Sequence, residues 1–355
     1  MRLSNLVTLS LMGVASAAPA HHQHVAKRDA VTTTVENQVT VTEGASGLLQ
    51  ENAVVSTTAS AAGATVAVAA AAGTTSTLEP STAAASTSNS AAAPSSSVAA
   101  GSAKGITYSP YAADGTCKSA SDVASDLAKL TSYGIIRLYG VDCNQVENVM
   151  NAKTSSQKLF LGIYYVDQIA DGVSTMKSAV ESYGSWDDVY TVSVGNELVN
   201  SGSATTAQVG EYVATAKTAL TAAGYTGPIV SVDTFIAVIN NPDLCNYSDY
   251  MGVNAHAYFD ENTTAENAGP WVLEQIQRVW TACGGKKDVL ITESGWPSQG
   301  DTYGVAVPSK ANQEAAISSI EDTCGSATIL FTAFNDYWKA DGTYGVEKYF
   351  GILSN

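Results

Sequence analysis

Two glutamates close two strand-like runs in this chain. Tyr190-Thr-Val-Ser-Val-Gly-Asn-Glu197 is apolar until Gly195, Asn196 and a carboxylate, and Asp288-Val-Leu-Ile-Thr-Glu-Ser-Gly-Trp-Pro297 is apolar until Glu293, a turn-forming Gly295, Trp296 and a chain-stopping Pro297. Two carboxyl groups facing one another are the equipment of glycosidic bond cleavage. One, protonated, gives its proton to the leaving oxygen. The other, ionised, attacks the anomeric carbon, and a separation of about 5–5.5 Å permits that attack with retention of configuration. On this reading Glu197 is the acid/base, kept protonated by partial burial and by the charge of Glu293, which is the nucleophile. Either glutamate alone reads as a solvated loop carboxylate. The conjunction of two, each in a distinctive setting, gives the reading its weight.

Other residue types fit the same chemistry. Asn196 can offer its amide to the substrate hydroxyl beside the reacting carbon, Tyr258 can donate to Glu293, and Arg137 can supply positive charge beside the pair. Tyr139, Tyr258, Trp296 and Trp338 are flat surfaces on which sugar rings stack. Tyr108 is expected to bind substrate as well, with Asp142 and His256 in support.

The elements that must carry these residues alternate. Strand-like runs lie at 105–111, 135–139, 159–165, 190–197, 229–233, 250–258, 289–293 and 329–335, with helical patterns at 121–133, 171–183, 206–222, 271–283 and 309–323. Eight parallel strands with crossovers predict an α/β fold, a (β/α)8 TIM barrel, with Glu197 and Glu293 on the fourth and seventh strands at the C-terminal mouth. The rival, a doubly wound open sheet, lacks its Gly-rich loop: Tyr108-Ser-Pro-Tyr111 follows the first strand instead.

Val194-Gly-Asn-Glu197 and Ile291-Thr-Glu-Ser-Gly-Trp-Pro-Ser298 resemble the two signature motifs of the family-17 glycoside hydrolases. Gly105-Ile-Thr-Tyr-Ser-Pro-Tyr111 and Arg137-Leu-Tyr-Gly140 are similar to that family's first two strands. The resemblance covers 105–355. It implies a retaining (β/α)8 enzyme acting on β-1,3-glucan, with Glu197 as proton donor and Glu293 as nucleophile. Ser294 stands where plant members usually carry threonine, which leaves the carboxylate unaffected.

The first hundred residues have another character. Residues 1–18 read as a secretory signal peptide, 19–28 as a short pro-segment ending at Lys27-Arg28, and 29–103 as a disordered, O-glycosylated stalk. From Asp29 to Ala100, 24 of 72 residues are Ser or Thr, and none is aromatic or basic. Residues 104–355 form the hydrolase domain. They hold 28 acidic against 14 basic residues, which argues against nucleic acid or an anionic membrane as partner. Together these segments resemble secreted fungal cell-wall mannoproteins of the same family. The expected location is the cell wall, the expected partner β-glucan, and the expected state a monomer without membrane anchor. Asn246 and Asn262 are N-glycosylation acceptors.

The five cysteines predict disulfides Cys117–Cys143 and Cys283–Cys324, with Cys245 left over for a disulfide or another covalent link to the wall. No cofactor is expected and no metal: His21, His22 and His24 cluster only in the removed segment, and His256 has no ligand at metal spacing. The competing expectation is a structural or adhesive wall mannoprotein whose barrel binds glucan without cleaving it. Hydrolase against transglycosylase, exo against endo action, and the glucan linkage stay open at this point.

Overall fold

The computed structural model describes residues 98–99 and 101–354. The signal, pro-segment and stalk expectations, including His21, His22 and His24, lie outside the described residues except at the stalk's last few positions. The strands are β1 (Gly105–Thr107), β2 (Ile135–Arg137), β3 (Lys158–Ile163), β4 (Val189–Val194), β5 (Ile229–Thr234), β6 (Met251–Asn254), β7 (Val289–Ser294) and β8 (Thr328–Leu330). Each pairs in parallel with the next, and β1 pairs with β8, so the barrel closes. The helices are α1 (Ala120–Leu127), α2 (Gln145–Ala152), α3 (Ile169–Tyr183), α4 (Thr206–Ala222), α5 (Phe235–Asn240), α6 (Ala268–Ala282) and α7 (Lys310–Cys324).

The parity of the strands decides what each side chain meets. Gly105 and Thr107 of β1 stand opposite Ile135 and Arg137 of β2. Arg137 lies over the ring of Phe160, in a small apolar cluster with Ile135, Val230, Val232, Leu290 and Ile329. The intervening Ile106, Ile136, Leu159 and Leu161 belong to the larger core between barrel and helices. Alternation therefore puts one buried cation, Arg137, inside the barrel just below its mouth.

The helices start on sequence signals. Ser119, Thr205, Thr234 and Ser309 cap α1, α4, α5 and α7 with side-chain oxygens that accept backbone N–H groups. Helix α6 opens three residues earlier than its apolar pattern suggests, because Pro270 in the first turn has no orphaned N–H to lose. Helix α1 ends at Leu127, and the chain to Tyr133 continues in turns. Helix α2 was absent from the sequence reading. Its apolar residues Val146, Val149 and Met150 follow helical spacing but are diluted by polar neighbours. Both end strands stop early: Pro110 cannot extend β1, and beyond Leu330 the chain bonds irregularly to Ser294, Phe350 and Thr107.

The Cys117–Cys143 disulfide ties the loops after β1 and β2. The second predicted pairing is corrected: Cys245 bonds Cys283, and Cys324 is the free thiol. The physical reason is proximity. Cys245 lies in a short turn of helix before β6 and Cys283 just before β7, so both approach adjacent strands from the same end, with Cα atoms 5.5 Å apart. Cys324 ends α7 fully buried, with Sγ toward the Gly269 carbonyl and the Thr328 hydroxyl. Burial pushes its thiol up to about 11, which makes it a poor nucleophile and no candidate for a wall disulfide.

A maleimide reagent applied to the folded, unreduced protein is therefore expected to label no cysteine. After unfolding without reductant, one label per chain should map to Cys324. Labelling of Cys245 in the folded protein would contradict the pairing.

Candidate active site

The cleft at the C-terminal mouth has a volume of about 380 Å³, and its lining includes Glu197, Glu293, Asn196, Asn254, His256 and Trp338. Glu293 comes from β7 and is 6 % exposed. Arg137 Nη1 donates to its Oε1 at 2.8 Å and to the Thr292 carbonyl at 2.8 Å. His256 Nε2 lies 3.4 Å from the other carboxylate oxygen. Burial alone would raise the Glu293 carboxyl, but the Arg137 guanidinium, helped by His256 and Lys339, holds it down at about 2. The Tyr139 hydroxyl is buried without a hydrogen bond of normal geometry, and burial and the Glu293 charge keep it protonated.

Glu197 follows β4 and has the opposite environment. Burial, then the charge of Glu293, lifts its carboxyl to about 7. Asn254 Nδ2 donates to its Oε1 at 2.8 Å. The orientation of that amide is fixed, since its oxygen accepts from Thr292 Oγ1 at 2.7 Å. A chain of contacts thus runs from Glu197 through Asn254 and Arg137 to Glu293. Arg137 Nη2 also donates to Asn196 Oδ1 at 2.9 Å. Asn254 Nδ2 donates to the same oxygen at 3.3 Å, and Asn196 lines the cleft.

The backbone here is strained. Glu197 has φ 54°, a left-handed conformation that costs a non-glycine residue on the order of 1–3 kcal/mol. Gly195, two residues earlier, has φ 73°, and a Cβ there would collide with the Leu198 side chain. Past the other glutamate, Gly295 lies so close to the Phe331 carbonyl that no side chain fits. The glycine beside each glutamate therefore has a steric reason.

One cleft wall is built from the loops after β1, β2 and β8. Tyr111 donates to Asp142 at 2.8 Å, and its ring meets Trp338 at 5.0 Å. Trp338 donates to Asp336, which pairs with Lys339 at 3.1 Å. Burial opposes the Lys339 ammonium, but Asp336, Glu347 and Glu293 keep it raised. Glu347 lines the same cleft, its carboxyl raised by burial.

Three sequence expectations are corrected. Tyr108 is 1 % exposed and donates to Asp126; it sits one residue past Thr107, so parity turns it toward the helices. Tyr258 is 0 % exposed and donates to the Asp301 carbonyl at 2.6 Å rather than to Glu293. The turn Ala257–Phe259 directs it there. Trp296 is 0 % exposed, donates to the Val307 carbonyl and meets Tyr258 edge-on, so it is no sugar platform. Tyr139, Trp338, Asn196, Asp142 and His256 do line the cleft, and Arg137 lies beneath it. Asn254, Lys339 and Glu347 were missed. Asn254 carried a signal, a lone amide ending an apolar strand; the other two follow β8 in irregular chain. Among the described residues no group of side chains suits a metal ion, and no helix is long and apolar enough to cross a membrane. Asn246 and Asn262 are both exposed.

Comparison with known proteins adds to this geometry. A model of the BtgE/BtgC glycoside hydrolase domain matches residues 105–351. The chain is 64 % identical to the probable family 17 glucosidase SCW10 of Saccharomyces cerevisiae, across the full length of both. It is 68 % identical to the cell surface mannoprotein MP65 of Candida albicans over 73 % of this chain and 68 % of that one. A family 17 β-1,3-glucanosyltransferase from Rhizomucor miehei superposes with a TM-score of 0.60 at 22 % identity, over 71 % of this chain and 93 % of that one. At that identity the superposition speaks for the fold.

The raised Glu197 carboxyl has a stability consequence. A carboxyl raised from 4.5 to about 7 contributes fully to stability below about 4.5, and that contribution is lost as pH rises through about 7. Replacing Glu197 with Gln removes the loss. Since the residue keeps some solvent contact, the variant is expected to be more stable than wild type by about 2 kcal/mol at pH 8 in denaturant titrations, with the gap closing below about pH 4.5. A gap independent of pH would contradict the assignment.

Proposed function

Because the chain belongs to glycoside hydrolase family 17, through its BtgE/BtgC glycoside hydrolase domain, we propose that it cleaves and rebuilds β-1,3-glucan in a fungal cell wall by a retaining mechanism. The observation that carries this reading is the divergence of the two carboxyls: Glu197 is raised to about 7 and Glu293 lowered to about 2 within one cleft. At mildly acidic pH the first holds a proton and the second a charge.

The steps follow from these states. Glu197 gives its proton to the glycosidic oxygen while Glu293 attacks the anomeric carbon, so the C–O bond breaks and a glycosyl ester forms on Glu293. The leaving sugar departs as a neutral alcohol. Glu197, now ionised, takes a proton from an incoming hydroxyl, whose oxygen attacks the anomeric carbon, so the bond from that carbon to Glu293 breaks and the carboxylate is freed. If the hydroxyl belongs to water the outcome is hydrolysis; if it belongs to a sugar the chain is transferred. Asn196, held by Arg137, is aimed to bind the hydroxyl next to the reacting carbon. Trp338 and Tyr139 offer ring surface. The name of the Rhizomucor miehei neighbour, a glucanosyltransferase, favours transfer as part of the activity.

Secretion to the wall is supported by the Ser/Thr-rich first hundred residues and by the cell surface mannoprotein among the relatives. A purely adhesive role gives no reason for one carboxyl to be raised and its partner lowered across a shared cleft.

Incubation with a defined laminari-oligosaccharide tests the proposal. The first-formed reducing ends should be β by NMR, and concentrated donor should yield products longer than the substrate. The rate should fall on the alkaline side near pH 7 and on the acid side only toward pH 2. First-formed α products would overturn retention, and products never longer than the substrate would remove the transferase part.

A further inference from the structure

Asp233 lies near the end of β5, 4 % exposed. Among the described residues no cation pairs with it. Its oxygens are taken up by backbone: Oδ2 accepts the N–H of Val199 at 2.8 Å, and Oδ1 accepts those of Asn200 at 3.1 Å and Thr234 at 2.9 Å. Burial raises its carboxyl, and these N–H groups oppose the rise. A buried carboxylate without a counter-ion is costly, so its retention calls for a physical reason.

The reason lies in what those N–H groups belong to. Val199 and Asn200 are two and three residues past Glu197. One position before Asp233, the Val232 carbonyl accepts the N–H of Glu197 itself at 2.9 Å. The Asn200 side chain reaches back within 3.5 Å of Glu197 Oε2, and its own oxygen accepts from the Thr234 hydroxyl at 3.1 Å. Two adjacent β5 residues therefore grip the chain on both sides of Glu197, the residue held at φ 54°. An amide in place of the carboxylate supplies one acceptor atom instead of two and sets an NH2 against an N–H. Asp233 does not line the cleft, and both its oxygens accept backbone N–H groups.

We propose that Asp233 is a positioning residue for proton donation: it clamps the backbone of 199–200, holds Glu197 in its left-handed conformation and so keeps the Glu197 carboxyl aimed at the glycosidic oxygen. This rests on the reading of Glu197 as acid/base. It locates the force that sustains the strained backbone in the neighbouring strand rather than in the cleft.

The test separates leaving groups. Bond cleavage in a laminari-oligosaccharide needs a proton from Glu197, whereas 2,4-dinitrophenolate departs from a dinitrophenyl β-laminaribioside without one. In Asp233→Asn, glycosylation by the oligosaccharide should slow roughly 10- to 100-fold, while the pre-steady-state burst of dinitrophenolate keeps the wild-type rate. Glu197→Gln is the control and should show the same selectivity more strongly. Equal slowing of both substrates in Asp233→Asn, or of neither, overturns the proposal while leaving the reading of Glu197 intact. Loss of selectivity in Glu197→Gln overturns that reading and the proposal with it. Should Asp233→Asn not fold, Asp233→Ser is read the same way. Hydrogen exchange on the wild-type chain provides a check without substitution: the Val199 and Asn200 amides should be protected, and rapid exchange there overturns the clamp.

Discussion

The site depends on one buried ion pair, Arg137 to Glu293 at 2.8 Å. Neither partner is stable there alone. Burial would neutralise Glu293, and an unpaired guanidinium inside the barrel would face a large desolvation cost. The pair is supported by two further donations from Arg137, to the Thr292 carbonyl and to the Asn196 side chain, while its Nε is buried without a hydrogen-bond partner. Such a pair is weak evidence of net stability. What it does is fix a protonation state: a buried carboxylate that stays charged, with one oxygen already held.

The state of Glu197 follows from burial first and from the charge of Glu293 second, which together lift its carboxyl to about 7. Asn254 is the counterweight, since its donated hydrogen bond favours the charged form. Its amide direction is set by Thr292, the residue before Glu293. Both carboxyls are thus tuned by residues from other strands, Glu293 by Arg137 of β2 and Glu197 by Asn254 of β6. The strain at Glu197 completes the arrangement: the fold holds this residue at φ 54°, a conformation the chain alone would not choose, and the barrel supplies the rigidity that sustains it.

The barrel was legible in the sequence because strict alternation of apolar runs and helical patterns allows few other closures. Helix α2 was not, because its three apolar residues are interrupted by Glu147 and Asn148. At the site, position along a strand was readable and facing was not. Tyr108, Tyr258 and Trp296 are all near strand tips, yet each turns into packing, and a shift of one residue separates Thr107 from Tyr108. Arg137 was readable, since a charge inside Ile-Ile-Arg-Leu has few places to go. Lys339 and Glu347 carry no periodic signal because the chain after β8 is irregular. Cys324 was paired wrongly because three cysteines approach the same end of the barrel, and sequence spacing does not say which thiol points into the core.

The central claim is that Glu293 is the charged residue to which the sugar becomes bonded. A 2-deoxy-2-fluoro-β-laminaribiosyl fluoride has a leaving group that departs readily and a fluorine that slows release of the glycosyl ester. Incubated with the protein, digested and read by mass spectrometry, it is predicted to leave one glycosyl adduct on the peptide containing Glu293, and none in Glu293→Gln. An adduct on Glu197 or on another residue, or no adduct from a protein that still cleaves laminari-oligosaccharides, would contradict the account.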